Sequence, residues 1–92
     1  MEILSIEDKM ISIRQLKAAR ALLAWSQGDL ARESGVSEPT IARLESSDGP
    51  VGGRPDTAEK LVAALERGGV QFIPENGGGA GVRLAKRNKR PK

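Results

Sequence analysis

Residues 26–45, with the sequence SQGDLARESGVSEPTIARLE, constrain the fold of this chain more than any other segment. Ala31 is small where one short helix must approach another closely, and Gly35 follows four residues later, where a left-handed residue ends the first helix. The apolar positions that complete the unit are Leu30, Val36, Ile41 and Leu44. This ordered set predicts two short helices that cross at a tight turn and share one small core.

Composition limits both the core and the chemistry. A chain of 92 residues fits one small domain, and its core must be aliphatic because Trp25 and Phe72 are the only aromatic residues. The sequence has no Cys and no His, which excludes disulfides, thiol chemistry, zinc fingers and histidine-based catalysis. The glycine run at 77–79 lacks the Lys and Ser/Thr of a phosphate-binding loop. We therefore expect that this protein is not an enzyme and that it binds no cofactor and no metal.

Hydropathy and charge indicate the cellular location of the protein and the kind of partner that it attracts. No segment approaches the roughly 20 apolar residues of a membrane helix, and the start of the chain has no signal-peptide pattern. We therefore expect a cytoplasmic protein without a membrane partner. The net charge of +3 conceals an asymmetry, because residues 1–82 contain 9 basic and 12 acidic residues. The basic excess lies at 83–92, so the folded part has no bulk attraction for a polyanion.

Capping residues and apolar spacing predict four helices and a hairpin. The predicted helices are 12–24, 27–34, 38–46 and 56–67, with Asp56 and Glu59 capping the last one. Two short strands, 70–73 and 81–84, flank a glycine-rich loop. The fold class is therefore mainly α with a short C-terminal β-hairpin. We divide the chain into a leader (1–11), a helical domain (12–69), the hairpin (70–84) and a disordered basic tail (85–92).

The motif and its flanking helices resemble a known family of bacterial regulators. The resemblance covers residues 13–70 and lies in Ser26-Gln27, Leu30-Ala31, Gly35-Val36-Ser37, Thr40-Ile41 and Leu44-Glu45. These residues resemble the Cro/phage-repressor (XRE-like) helix-turn-helix transcriptional regulators. The segments 69–73 and 81–84 are similar to a small single-domain alphaproteobacterial subgroup. The resemblance implies a nucleoid-associated, sequence-specific regulator of double-stranded DNA. We expect a repressor rather than an activator, because no separate ligand or activation domain is visible in the sequence.

The resemblance also implies roles for individual residues. Base contacts are expected from the side of the second motif helix that faces away from Ile41 and Leu44, namely Glu38, Pro39, Thr40, Ala42 and Arg43. Phosphate contacts are expected from Gln27, Ser37 and Arg54, and a buried ion pair from Arg20 and Glu45. Other interpretations stay open: Ser37 as a cap only, Arg43 as a solvated side chain, Arg54 as a brace of the Pro55 turn, and Arg20 and Glu45 as separate surface charges.

The hairpin is the candidate for self-association. Its apolar residues Val70, Phe72, Ile73, Val82 and Leu84 suit edge-to-edge pairing in a homodimer. The alternative is a hairpin folded on its own helices in a monomer. A different function also stays open, because Glu38 and the acidic balance of 1–82 suit a protein-binding module. Such a module would be an antitoxin-like partner or an antiactivator that grips another regulator.

Overall fold

The computed structural model describes residues 11–75 and 77–85. The elements are α1 (Ile13–Leu23), α2 (Gln27–Ser34), α3 (Glu38–Glu45), α4 (Pro55–Gly68), β1 (Val70–Ile73) and β2 (Gly81–Leu84). The two strands pair antiparallel. This arrangement confirms the predicted mainly α class with a C-terminal hairpin. The leader up to residue 10 and the tail from residue 86 lie outside the described residues, so the predictions made for them stay predictions.

Three serines set the starts of the first three helices. Ser12 and Ser26 each form a reciprocal capping box, with Gln15 and Asp29 as the respective partners. The Ser37 side chain caps α3 by accepting from the Thr40 amide. Each cap satisfies amide groups that have no partner inside the helix. The starts of α2 and α3 therefore agree with the positions that the sequence predicts, and α1 begins one residue later than predicted, because Ser12 is its N-cap.

The start of α4 differs from the prediction by one residue. The helix begins at Pro55 rather than Asp56, and its N-cap is Arg54, which makes no side-chain capping bond. The predicted Asp56–Glu59 capping pair is therefore wrong. The cause is the proline ring, which holds φ near the helical value and lacks the N–H that the first helical position would leave unpaired.

Ala24 ends α1 in a strained conformation. Its φ of 57° is the one positive value found at a residue other than glycine in the described part of the chain. A Cβ in this region approaches the following carbonyl oxygen too closely. We expect Ala24→Gly to raise the free energy of unfolding by about 0.5–1 kcal/mol, after the greater freedom of glycine in the unfolded chain is subtracted. Urea denaturation measures the change, and a less stable variant would contradict the prediction.

The core lies between the helices and is aliphatic, as the composition predicts. Its fully buried side chains come from all four helices and include Leu16, Leu30, Ile41, Leu61 and Leu65. Ile11, the last residue of the predicted leader, is also buried in this core. Ile41 therefore anchors α3 from its inner side, which leaves the opposite side of α3 facing outwards.

The hairpin is joined to the helices through one face. Val70 is buried, and Phe72 and Val82 pack against the helical core. The buried Gln15 side chain fixes the other end of the hairpin, since its Nε2 donates to the Gly81 carbonyl at 3.0 Å and to the Ile73 carbonyl at 3.4 Å. The hairpin thus folds on its own chain and adds a second layer beside α1.

Candidate nucleic-acid interface

The outer side of α3 is the most exposed helical surface in the predicted motif. Glu38, Pro39, Ala42 and Arg43 are exposed, and Thr40 is half-buried. The opposite side carries Ile41, which is fully buried, and packs on α1 and α2. The structure therefore brings together on one surface all five residues predicted to contact bases.

Arg43 stands out on this surface because its positive charge has no partner among the described residues. The described residues provide no ion-pair partner or side-chain hydrogen bond for its guanidinium. A planar guanidinium with five donors suits bidentate contact with a base edge or a phosphate. Arg43 is thus able to bind an external acceptor without first breaking an internal contact.

Arg20 and Glu45 form an ion pair beneath this surface. Arg20 Nε donates to Glu45 Oε2 at 2.8 Å, and Arg20 Nη2 donates to Glu45 Oε1 at 2.6 Å. The side chains are only 20 % and 5 % exposed. The third guanidinium nitrogen, Nη1, donates to the Trp25 carbonyl at 2.8 Å. These bonds tie the end of α3 to α1 and to the turn before α2, which makes the motif one rigid unit.

The same contacts make the free energy of unfolding depend on pH. Burial raises the pKa of Glu45, but hydrogen bonds from Arg20 and Gln27 outweigh it, so the net pKa lies below its ordinary value of 4.5. A lowered pKa stabilises the fold at pH values above the ordinary pKa, and this stabilisation is lost as pH falls and Glu45 takes up a proton.

We therefore expect the free energy of unfolding to fall as the pH is lowered below about 4.5. A double variant with Arg20→Met and Glu45→Leu lacks this titrating group and should lose less stability over the same range. Urea denaturation at a series of pH values measures both proteins. Equal losses in the two would contradict the assignment to Glu45.

The side chain of Gln27 does not extend freely towards a phosphate, because it is already hydrogen-bonded within the protein. Gln27 is the first residue of α2, and its Nε2 donates to Glu45 Oε1 at 3.0 Å. On the other side of the pair, Lys17 Nζ donates to the main-chain carbonyl of Glu45 at 3.4 Å. Gln27 therefore belongs to the buried network, although the residue itself is only half-buried.

The other two predicted phosphate contacts have internal partners of different strength. The Ser37 hydroxyl accepts from the Thr40 amide at 3.3 Å and donates its proton to Thr40 Oγ1 at 2.8 Å. Arg54 Nε lies 3.4 Å from Asp56 Oδ1, and both side chains are largely exposed. An exposed pair of this kind contributes little. Arg54 is therefore free to turn towards an anion, whereas Ser37 must exchange a bond to do so.

One carboxylate lies beside the start of α2. A methyl group built on Gly28 would lie 3.4 Å from Glu38 Oε1. The side chain of Glu38 thus crosses from α3 towards the first turn of α2, where Asp29 already carries a second negative charge. These two carboxylates oppose a phosphate at this end of the interface, whereas Arg43 and Arg54 attract one.

The predicted dimer residues are divided between the two faces of the hairpin. Val70, Phe72 and Val82 are used by the chain's own core, while Leu84 is 52 % exposed. Ile73 is half-buried on the opposite face, which Gln71 and Arg83 share. The structure therefore does not gather the five residues into one free apolar patch.

Sequence reasoning missed two polar contacts that support the interface. The spacing of Ser12 and Gln15 in the sequence indicates a capping pair alone, although Gln15 also holds the hairpin. The bond from Gln27 to Glu45 joins residues 18 positions apart. A single sequence carries no periodic signal for either contact, since each depends on how separate helices pack.

The outcome of the comparisons agrees with the geometry. The family model described as "Helix-turn-helix domain" matches residues 13–72, which cover α1 to α4 and most of β1. No curated protein matches the chain at a significant level. Within the part of the chain that the structure describes, no helix is long and apolar enough to cross a membrane. With the motif, its exposed helix and the family match in agreement, the chain belongs to the helix-turn-helix domain family, whose fold points to a DNA-binding regulator.

Proposed function

We propose that this protein is a sequence-specific repressor of transcription that binds a palindromic DNA operator as a homodimer, in the cytoplasm. The observation that carries the proposal is the exposed outer side of α3, where the Arg43 guanidinium has no ion-pair or hydrogen-bond partner among the described residues, and where Arg20 and Glu45 hold the helix from beneath. A helix presented in this way fits the major groove. A protein that occupies an operator blocks the access of other proteins to that DNA. It needs no second interaction surface to do so, which favours repression.

Each exposed residue of α3 has a role that follows from its chemistry. Arg43 donates to O6 and N7 of guanine, and Glu38 accepts from N4 of cytosine. Pro39 and Ala42 offer apolar contact to a thymine methyl, and the Thr40 hydroxyl reaches a base or a phosphate. Because Glu38 repels phosphates, this set favours specificity over affinity.

Backbone contacts set the register of α3 in the groove. Gln27 donates to a phosphate at the amino end of α2, where the helix dipole favours an anion and offsets part of the repulsion from Glu38 and Asp29. Arg54 donates from the loop before α4, and Ser37 contributes if it gives up its bond to Thr40. The basic tail adds sequence-independent attraction.

The dimer is proposed to form along the outer edge of β2. The Ala85 amide donates to the Gly69 carbonyl at 2.6 Å. Hydrogen-bonded and non-hydrogen-bonded pairs alternate along an antiparallel ladder, so in this register the amides of Val82 and Leu84 point away from β1. An open edge with an exposed Leu84 suits antiparallel pairing with a second copy. Leu84 then contacts the partner, while Val70, Phe72 and Val82 support the strand from within; Ile73 lies on β1 and on the other face, away from this edge.

The test is iterative selection of random duplex DNA by the purified protein. We expect a palindromic site that is bound at least about a thousandfold more tightly than bulk DNA. Sedimentation at tens of micromolar should show a dimer. Enrichment of no site, or weak binding that salt abolishes, would contradict sequence-specific recognition, and a monomer at these concentrations would contradict the dimer.

A protein-binding role is the second candidate, favoured by the Glu38 carboxylate at the start of α2. There it opposes a phosphate and suits a basic partner protein instead. In that case Arg43→Ala removes DNA binding while partner capture survives. If Arg43→Ala reduces DNA binding and partner capture equally, both ligands bind the same surface of α3. That outcome would favour the DNA-binding proposal.

A further inference from the structure

We propose that Glu45 is a positioning residue for contact with the DNA backbone, because it fixes the amide of Gln27 so that an N–H remains available for a phosphate. This inference rests on the proposed function, in which Gln27 contacts a phosphate. It gives the buried ion pair a role in binding in addition to its role in the fold.

The chemistry of the three groups determines the orientation. An ionised carboxylate only accepts hydrogen bonds, so the nitrogen of the Gln27 amide, and not its oxygen, must face Glu45. The distance from Gln27 Nε2 to Glu45 Oε1 is 3.0 Å. A phosphate oxygen is also only an acceptor, and the amide has two N–H groups. Within the described residues the second N–H has no acceptor, which leaves it for a phosphate.

The anchor of this amide is itself immobile. Glu45 is buried, and Arg20 holds both of its carboxylate oxygens. Arg20 is held in turn by the Trp25 carbonyl. Gln27 lies at the first position of α2, only half-buried, so its amide joins the buried network to the solvent side. The orientation of the donor is therefore set before DNA arrives.

Loss of the anchor changes what Gln27 offers. Without Glu45, the amide rotates and presents its oxygen, which repels a phosphate oxygen, as readily as an N–H. The side chain must then also be ordered during binding, at an entropic cost. Affinity for the DNA backbone should fall even though Glu45 itself touches no DNA.

A double-mutant cycle tests this coupling on a mixed-sequence duplex of about 20 base pairs at low salt, because backbone contacts do not depend on sequence. Gln27→Ala should weaken binding by about tenfold. The Arg20→Met, Glu45→Leu pair should weaken it by a similar factor, and adding Gln27→Ala to this pair should cause no further loss. Gln71→Ala, an exposed glutamine on the hairpin, is the matched control and should bind normally.

Salt dependence separates this contact from a charged one. Gln27→Ala should leave the slope of log Kd against log salt unchanged, because glutamine is neutral and displaces no counterion. Arg54→Ala should lower that slope by about one. Additive losses in the cycle would overturn the proposal, since a purely structural ion pair would leave the effect of Gln27→Ala intact.

The unmodified chain provides a measurement that does not depend on the folding of any variant. In NMR spectra, one side-chain amide proton of Gln27 should be hydrogen-bonded in the free protein, and the other should shift when the duplex is added. The inference alone would be overturned if the first amide proton of Gln27 is not hydrogen-bonded in the free protein. The same holds if the chemical shifts of the Gln27 side-chain protons stay unchanged while those of the α3 amides change. If the α3 amides also stay unmoved, both the inference and the proposed function fail.

Discussion

Replacing Arg20 with alanine is expected to lower the free energy of unfolding by about 3–5 kcal/mol, because Glu45 would remain as a buried charge without its partner. Glu45 is only 5 % exposed, so water cannot replace the two hydrogen bonds that it loses. A domain of this size has a total stability of about 5–14 kcal/mol. The variant should therefore lose a large share of its stability, and urea denaturation followed by circular dichroism measures the loss.

Arg32→Ala is the control for this prediction. Arg32 also pairs with a carboxylate, Asp29, but at an exposed position three residues away on the same helix. Pairs of this kind contribute less than about 1 kcal/mol. A melting temperature of Arg20→Ala within about a degree of that of the unmodified protein would contradict the structural role of the ion pair.

Arg43→Ala is expected to abolish the preference for the selected operator while leaving the fold intact. A bidentate contact to guanine contributes about 1–3 kcal/mol of discrimination, and a dimer uses it twice, so specific binding should weaken by about thirtyfold or more. Arg43 is exposed, and among the described residues its side chain has no ion-pair or hydrogen-bond partner that its removal would break. Titration of the selected duplex and of a scrambled duplex measures affinity and preference together.

Arg32→Ala again supplies a matched control, since it removes the same charge from the neighbouring helix α2. It should retain the preference for the operator. If Arg43→Ala keeps the ratio of specific to non-specific binding, α3 does not read the site through this residue. The assignment of the recognition surface would then be wrong, even though the family would stand.

The elements of the fold could be predicted because their signals are local. Ser12, Ser26 and Ser37 each cap a helix, and Gly35 ends one with a φ of 80°. Both strands also begin and end where β-propensity and glycine predict. These signals act over three or four residues, which is the range over which a single sequence is informative.

The contacts between elements could not be predicted in the same way. The bond from Gln27 to Glu45 and the packing of Phe72 and Val82 on the helices depend on crossing angles that no local pattern encodes. For the Arg20–Glu45 pair, the expectation came from the family resemblance, since the two residues are 25 positions apart. The site residues of α3 followed from helical periodicity once Ile41 and Leu44 were assigned to the inner side.

The link between Gln15 and the hairpin has a consequence for synthesis of the chain. The buried side-chain amide of Gln15, in the first turn of α1, finds its acceptors within the described structure at Ile73 and Gly81. A ribosome adds about 5–20 residues per second, so this polar group waits several seconds for its partners to emerge. Until then α1 keeps water at a position that the finished domain buries. We therefore expect the helices to assemble loosely first and to close only when β2 has left the ribosome.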